Sequence, residues 1–421
     1  MKSLVKQLLR SHEVRRHTAA PADRLHPPTR PDPNGWFCVA FSDEVRPGTI
    51  TTRSIMGGEV VLYRTPGGLL RAVRPQCPHL GAHLGVGGTL VGEDIVCPFH
   101  RFAFDPSGAC VRTGYDLPPP KASLTRYPVC EANGSIYVWR HSLGLAPQWE
   151  VPVFPMDDRQ PFSHDTFDIA GHPQDVIENA FDWGHLPALH GLRDLVIEGS
   201  PVMGEPVSTV TATARGTVMR QVRQSYTLTV IGLATIAART RLPRGAGDLY
   251  VMLHATPTGP GRIQLRFGTK LELTGLPFLP DPVARATALP VARLLSVIAQ
   301  RVASVDTGAD LLMWHHQEHV EAPKLARGDG PIGRYRQWAR QFYTEPAADT
   351  PQSPSGPSAP TGSAPPGHPG PATDSATGNG SAVGNGSVSA VGNGSAVGNG
   401  SGSADGNGSA VGDREGDRSQ V

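Results

Sequence analysis

Cysteine is scarce in this chain: five in 421 residues, at positions 38, 77, 97, 110 and 130. An odd, sparse set does not make a disulfide framework, and it fits a reducing compartment in which thiolates serve as metal ligands. Charge excess is missing too. The net charge of +1 gives no electrostatic reason to expect a nucleic-acid partner. No run reaches ~18 uninterrupted apolar residues, so no membrane-spanning helix is expected. Residues 1–16 are basic and lack a continuous apolar core before a small-residue cleavage site, so they do not read as a signal peptide. A cytoplasmic location is expected, with room for peripheral membrane association. No Gly-x-Gly-x-x-Gly follows a strand, so no dinucleotide fold is expected within the chain.

Apolar content is also low, at 38%, and the C-terminal region explains why. Residues 346–421 repeat Gly-Asn-Gly-Ser-Ala-Val, at 378–383, 392–397 and 406–411. Such a composition cannot bury enough apolar surface to offset the entropy of ordering, so a disordered tail is expected. At the other end, residues 1–33 form a preface. Leu4, Val5, Leu8 and Leu9 suit one face of a short basic amphipathic helix, and Pro28, Pro31 and Pro33 separate it from the β-rich region beyond.

Between these ends lie two expected domains. Residues 34–145 read as all-β, with short apolar runs at 36–41, 59–63, 69–73, 95–97 and 136–139 punctuated by Gly-Gly and Pro-Gly pairs. Residues 146–345 mix helix and strand. Residues 174–192 carry helical signals, 207–242 and 249–273 alternate as strands do, and 284–320 read as mostly helix. The fold class expected is therefore α+β.

Two short segments carry the chemistry. Cys77-Pro78-His79 is followed, after seventeen residues, by Cys97-Pro98-Phe99-His100. Each loop offers one Cys and one His. A Rieske [2Fe–2S] centre requires that partition, with two thiolates on one iron and two imidazoles on the other. A zinc site more often pairs Cys with Cys and His with His. Gly81, Gly85, Gly87 and Gly88 allow tight turns around the sulfurs. Respiratory Rieske proteins carry a further disulfide-forming Cys in each loop; Ala82 and Phe99 stand there instead.

The second segment runs from Glu178 and Asn179 through Asp182 to His185, Pro187 and His190. Two histidines with one carboxylate suit a mononuclear non-haem Fe(II), whose opposite face stays open. His185 and His190 are five apart, too far round a straight helix to share a metal. Pro187 removes a helical hydrogen bond and allows a break that brings them together. Asp182, three before His185, is placed to hydrogen-bond a histidine. The third ligand must come from elsewhere. Asp310, in a helical apolar stretch where an unpaired carboxylate is costly, is the choice, with Asp306 as its competitor. His315, His316 and His319 read as surface or pocket residues.

These motifs together resemble the oxygenase component of Rieske non-haem iron oxygenases, over roughly residues 34–345. Cys77, His79, Cys97 and His100 fill that family's cluster motif. Asp182, His185 and His190 fill its iron motif, and Asp310 with Trp314 matches its downstream carboxylate. Glu178-Asn179 and the segment 328–338 (GDGPIGRYRQW) are similar to the group of 3-ketosteroid 9α-hydroxylase oxygenases and cholesterol 7-desaturases. Related enzymes tailor natural products, among them prodiginine cyclases.

The resemblance implies a catalytic domain with an antiparallel sheet gripped by helices, one Rieske cluster, one mononuclear Fe(II), and Asn179 just outside the ligand set. It implies a homotrimer in which Asp182 links His185 to a cluster histidine of the neighbouring subunit. Electrons would come from a separate reductase, with or without a ferredoxin. The activity implied is O2-dependent oxidation of a C–H bond in a bulky hydrophobic substrate, by hydroxylation, desaturation or cyclisation. A non-enzymatic Rieske electron carrier is the alternative. It would leave the second ligand set without purpose.

Overall fold

The structure is a computed structural model that describes residues 30–216, 222–274 and 281–344. The expected N-terminal helix and the C-terminal repeats lie outside the described residues.

The first part is built from short antiparallel strands. β1 (Gly35–Phe41), β11 (Ser135–Arg140) and β10 (Val129–Ala132) form one sheet. A second holds β2 (Thr49–Ile55), β3 (Gly58–Arg64), β4 (Leu70–Val73) and β9 (Arg126–Tyr127). A third holds β5 (Thr89–Val91), β6 (Asp94–Val96), β7 (Ala103–Phe104) and β8 (Cys110–Arg112). Every apolar run expected as a strand appears as one. Those the sequence did not announce are mostly polar and partly exposed, as β2 (TITTRSI) is, or only two to four residues long, as β5, β7 and β10 are. Asn133 and Gly134, at φ 53° and 70°, close the β10–β11 hairpin, where a two-residue turn of matching twist needs left-handed backbone.

The second part is an eight-stranded antiparallel sheet ordered β12-β19-β18-β17-β16-β15-β13, with β14 paired to β15. Its strands are β12 (Ser163–Ala170), β13 (Arg193–Ile197), β14 (Val202–Met203), β15 (Val207–Arg215), β16 (Arg223–Ile231), β17 (Thr235–Arg241), β18 (Gly247–Gly259) and β19 (Arg262–Leu273). Among the described residues four α-helices accompany it: α1 (Pro173–Glu178), α2 (His185–Leu189), α3 (Asp281–His316) and α4 (Ile332–Ala339). The helical signal at 174–192 resolves into α1 and α2, joined by a turn and loop over 179–184.

Helix α3 is seated on the sheet by a polar stripe. Ser296 Oγ accepts from Leu271 N at 2.9 Å and from Gln160 Nε2 at 2.6 Å. Gln300 Nε2 donates to Phe267 O at 3.1 Å, and Ser304 Oγ to Asp165 at 2.7 Å. Its opposite face is aliphatic and open, with Leu294 63% and Ile298 51% exposed. By length and composition the stretch Thr287–His316 would suffice to cross a membrane, which the run-length criterion overlooked. Its hydrogen bonds to β19 and β12 instead make it a helix of the catalytic fold.

The two β regions share a core. Phe41 of β1 packs with Phe162, Ala237, Tyr250 and Met252. Buried polar contacts cross the same junction. Arg266 bonds Glu44 at 2.7 Å, and Thr256 Oγ1 donates to Cys38 O at 2.5 Å. His254 lies 3.2 Å from Ser135 Oγ and 3.0 Å from Thr235 Oγ1. Full burial, with Arg266 nearby, pushes its pKa down to about 3, so it is neutral.

Candidate metal centres

The loops that follow β4 and β6 have the same backbone plan. Cys77 N donates to Ala82 O at 2.8 Å, and Cys77 O accepts from Gly81 N at 2.9 Å. Cys97 N donates to Phe102 O at 2.8 Å, and Cys97 O accepts from Arg101 N at 3.2 Å. The fourth residue after each cysteine is left-handed, Gly81 at φ 78° and Arg101 at φ 58°. Two copies of one turn thus put a thiol inside and an imidazole at the rim. The cysteines are buried, and the rings of His79 and His100 lie 4.7 Å apart at 80°. His79 stacks on Phe102 at 4.2 Å.

The donor chemistry fits an iron–sulfur cluster. Burial pushes the Cys77 thiol up to about 11, and the neighbouring Cys97 adds to the effect. Two adjacent buried thiols become thiolates when a metal supplies the compensating charge. The two cluster loops and the segment after them expose several apolar side chains, Leu80, Val86, Phe99, Tyr115 and Leu117, alongside the charged Arg101 and Asp116.

The second centre is assembled from distant segments. Asp182 Oδ1 accepts from Gly184 N at 3.1 Å and His185 N at 3.3 Å, capping the start of α2. Pro187 sits in the first turn of α2, where its missing N–H is tolerated. The helix stops at Leu189, and Gly191 at φ 65° turns the chain away. His190 caps this five-residue helix with backbone still helical, at φ −95° and ψ −7°, and its ring meets that of His185, with centroids 5.3 Å apart. Asp310, on α3, lies 3.2 Å from His190 Nε2. Ligand atoms of His185, His190 and Asp310 fall within 4.8 Å of one another, close enough to hold one metal ion.

Neighbouring groups set the donors. His185 Nδ1 lies 2.5 Å from the Asp182 carbonyl, leaving Nε2 for a metal. That ring meets the carbonyl of Asp182; the carboxylate is 3.7 Å away. Asn179 Nδ2 donates to Asp310 at 3.4 Å, and Trp314 Nε1 donates to Asn179 at 3.3 Å. Burial alone would push His190 down, but Asp306 and Asp310 outweigh it and raise its pKa to about 10. The same two carboxylates bring negative charge to both edges of the ring. His315 accepts from Ala170 N, His316 faces Leu312 O and His319 meets Asp175, so all three are engaged away from the triad. A cleft of about 650 Å3 runs past Arg30, His172 and His319, but none of the ligand residues lines it.

One further layer was not visible as chemistry in the sequence. Glu178 receives Arg336 at 2.7 and 2.9 Å, tying the end of α1 to α4. Trp183 N donates to Asp329 O at 3.1 Å, and Tyr335 Oη to Gln174 O at 2.7 Å. Gly330, at φ 89°, approaches so closely that a Cβ would meet Phe181 O at 2.2 Å. The 328–338 signature is a clamp on the ligand-bearing loop.

Comparison with known proteins agrees with this geometry. Residues 35–128 match the Rieske [2Fe-2S] domain, and residues 138–343 match the 3-ketosteroid 9alpha-hydroxylase C-terminal domain. A cholesterol 7-desaturase of Bombyx mori is 32% identical over 342 residues, covering 75% of this chain and 70% of that protein. The chain belongs to the Rieske non-haem iron oxygenases. A Rhodococcus rhodochrous protein named "Probable 3-ketosteroid-9-alpha-monooxygenase, oxygenase component" is 25% identical over 74% of this oxygenase and 80% of its own length. Crystallised dicamba monooxygenase shares the fold, with TM-score 0.52 and 18% identity over 73% of this chain and 96% of that one. The oxygenase is accordingly an enzyme with a Rieske cluster and a mononuclear iron as its cofactors.

Proposed function

We propose that this oxygenase oxidises a C–H bond of a bulky hydrophobic substrate, with a sterol skeleton as the first class to test. Cys77, His79, Cys97 and His100 hold the cluster, and His185, His190 and Asp310 hold the iron. The observation that carries this reading is the convergence of those three side chains within 4.8 Å, from segments over a hundred residues apart. The cluster supplies single electrons and the iron supplies oxygen activation. The chain's own work is positional. Asn179 orients the Asp310 carboxylate, the Asp182 carbonyl fixes the His185 ring, and the Glu178–Arg336 pair holds the loop that carries both histidines.

A separate reductase, with or without a ferredoxin, delivers the electrons. The assembly is a homotrimer in which the cluster of one subunit serves the iron of the next. Two features support that arrangement. Exposed apolar side chains such as Leu80, Phe99 and Tyr115 flank the cluster histidines, and the Asp182 carboxylate, with its side chain 36% exposed, stands beside His185 at a surface. Asp182 then links His185 to a cluster histidine of the neighbour, His100. The protein works in the cytoplasm, and peripheral contact with a membrane would suit an apolar substrate. The sterol reading draws on relatives named as a desaturase and a monooxygenase.

The test is product analysis with a supplied reductase and a panel of sterols, 3-ketosteroids and pyrrole-type metabolites. A gain of one oxygen marks hydroxylation, and a loss of two hydrogens marks desaturation or ring closure. His185→Ala should abolish product while keeping the cluster's visible absorption. Normal turnover by that variant would overturn the ligand assignment, and reduction without any oxidised product across the panel would favour an electron carrier.

A further inference from the structure

Asp306 and Asp310 lie four apart on α3 and share one helix face, which also faces His190. They address opposite edges of the same ring. Asp310 is 3.2 Å from Nε2, on the metal side. Asp306 is 3.2 Å from Nδ1, on the far side. Nδ1 is buried and has no aligned hydrogen bond. A buried ring N–H without an acceptor is costly, and the Asp306 carboxylate needs only a small turn to accept from it. That side chain is 54% exposed, against 9% for Asp310, so it has room to turn.

We propose that Asp306 is the positioning residue of His190. Its carboxylate accepts the Nδ1–H, fixing the tautomer that points the Nε2 lone pair at the iron. The two histidines are then held unequally. His185 leans on a neutral backbone carbonyl, and His190 leans on a full carboxylate, which makes it the more basic donor. Asp306 and Asp310, which compete for the metal in the sequence, therefore divide the work: one ligates and the other orients a ligand. This inference rests on the proposed ligand set of His185, His190 and Asp310.

The test uses the full-length protein with its cluster intact. The mononuclear site is stripped and retitrated with Fe(II) against a competing chelator, in wild type, Asp306→Ala, Asp306→Asn and Asp310→Ala. Asp306→Ala should weaken Fe(II) binding about 10- to 100-fold, the range for losing a carboxylate behind a metal-bound histidine. Asp306→Asn, which keeps an acceptor without its charge, should fall between. The EPR rhombicity of the ferrous site probed with nitric oxide should change, while the cluster spectrum and the thermal midpoint stay put. Asp310→Ala should lose the iron outright. If Asp306→Ala binds Fe(II) within twofold of wild type with unchanged EPR, while Asp310→Ala loses iron, the inference fails and the ligand set stands. A large fall in thermal midpoint that accompanies the loss of affinity in both Asp306 variants also overturns it, because the role would then be structural. If Asp310→Ala keeps iron and Asp306→Ala loses it, the ligand set itself fails, and this inference with it.

Discussion

The two proposed metal centres are built on opposite plans. The cluster site is local, with two loops of identical hydrogen-bond pattern each carrying its own Cys and His within four residues. The iron site is composite. Its histidines end a five-residue helix, its carboxylate comes from α3, and its loop is clamped by residues of the 328–338 segment. A local site needs only its turns to form. A composite site needs the whole catalytic fold in register, so it should be the more sensitive to remote changes.

The sharpest way to break this comparison is to remove one ligand from each side. Cys97→Ser should abolish the cluster's visible absorption and all turnover, yet leave the mononuclear iron in place. Asp310→Ala should do the reverse, with turnover reduced at least about a thousandfold and the cluster spectrum unchanged. Loss of both centres in either variant, read by iron, sulfide and absorption, would show that the sites are not independently built.

A remote change should then separate them. Arg336→Ala removes the two hydrogen bonds that hold Glu178, and leaves that half-buried carboxylate unpaired. The expected cost is on the order of 2 kcal/mol, with a drop in mononuclear iron occupancy and no shift in the cluster's reduction potential. Arg336→Lys, which cannot make the paired contact, should recover only part. Urea unfolding and iron content check both, and an equal effect on the two centres would contradict the plan.

The junction between the regions should respond to acid as one body. His254 is buried neutral, and its folded pKa of about 3 lies below the ordinary 6.5. The unfolded chain binds that proton first, so the contribution is present above pH 6.5 and lost as pH falls toward 3, by up to about 1.4 kcal/mol per unit. The thermal midpoint should therefore fall below pH 6.5, with both metal signals lost together. A midpoint flat down to pH 4 would contradict it. The smallest effect belongs to Arg101→Gly. It relieves a left-handed non-glycine at φ 58° and should leave the cluster spectrum unchanged while stabilising by roughly 1 kcal/mol at most.

The same contrast explains what the sequence revealed. Cys77 to His100 could be read directly, because the ligand partition is contiguous. His185 and His190 were legible as a pair, but the break expected at Pro187 does not occur: Pro187 lies within the short helix that His185 opens and His190 caps. Asp310 was preferred over Asp306 in the sequence, though both lie on one helix face; in three dimensions they meet opposite ring edges of His190. Arg336 and Gly330 carried no chemical signal, because a clamp is visible only where it closes. The strands β2 and β12 escaped for a simpler reason: their mostly polar, half-exposed sequences carry little alternation.

One measurement bears most directly on the central claim that two separately built metal centres coexist in this chain. Iron, acid-labile sulfide and visible absorption are determined for wild type and His185→Ala. The account predicts about three irons and about two sulfides per wild-type chain. In His185→Ala it predicts about two irons, with sulfide and spectrum unchanged. About two irons in wild type, or no loss of iron in the variant, would contradict it.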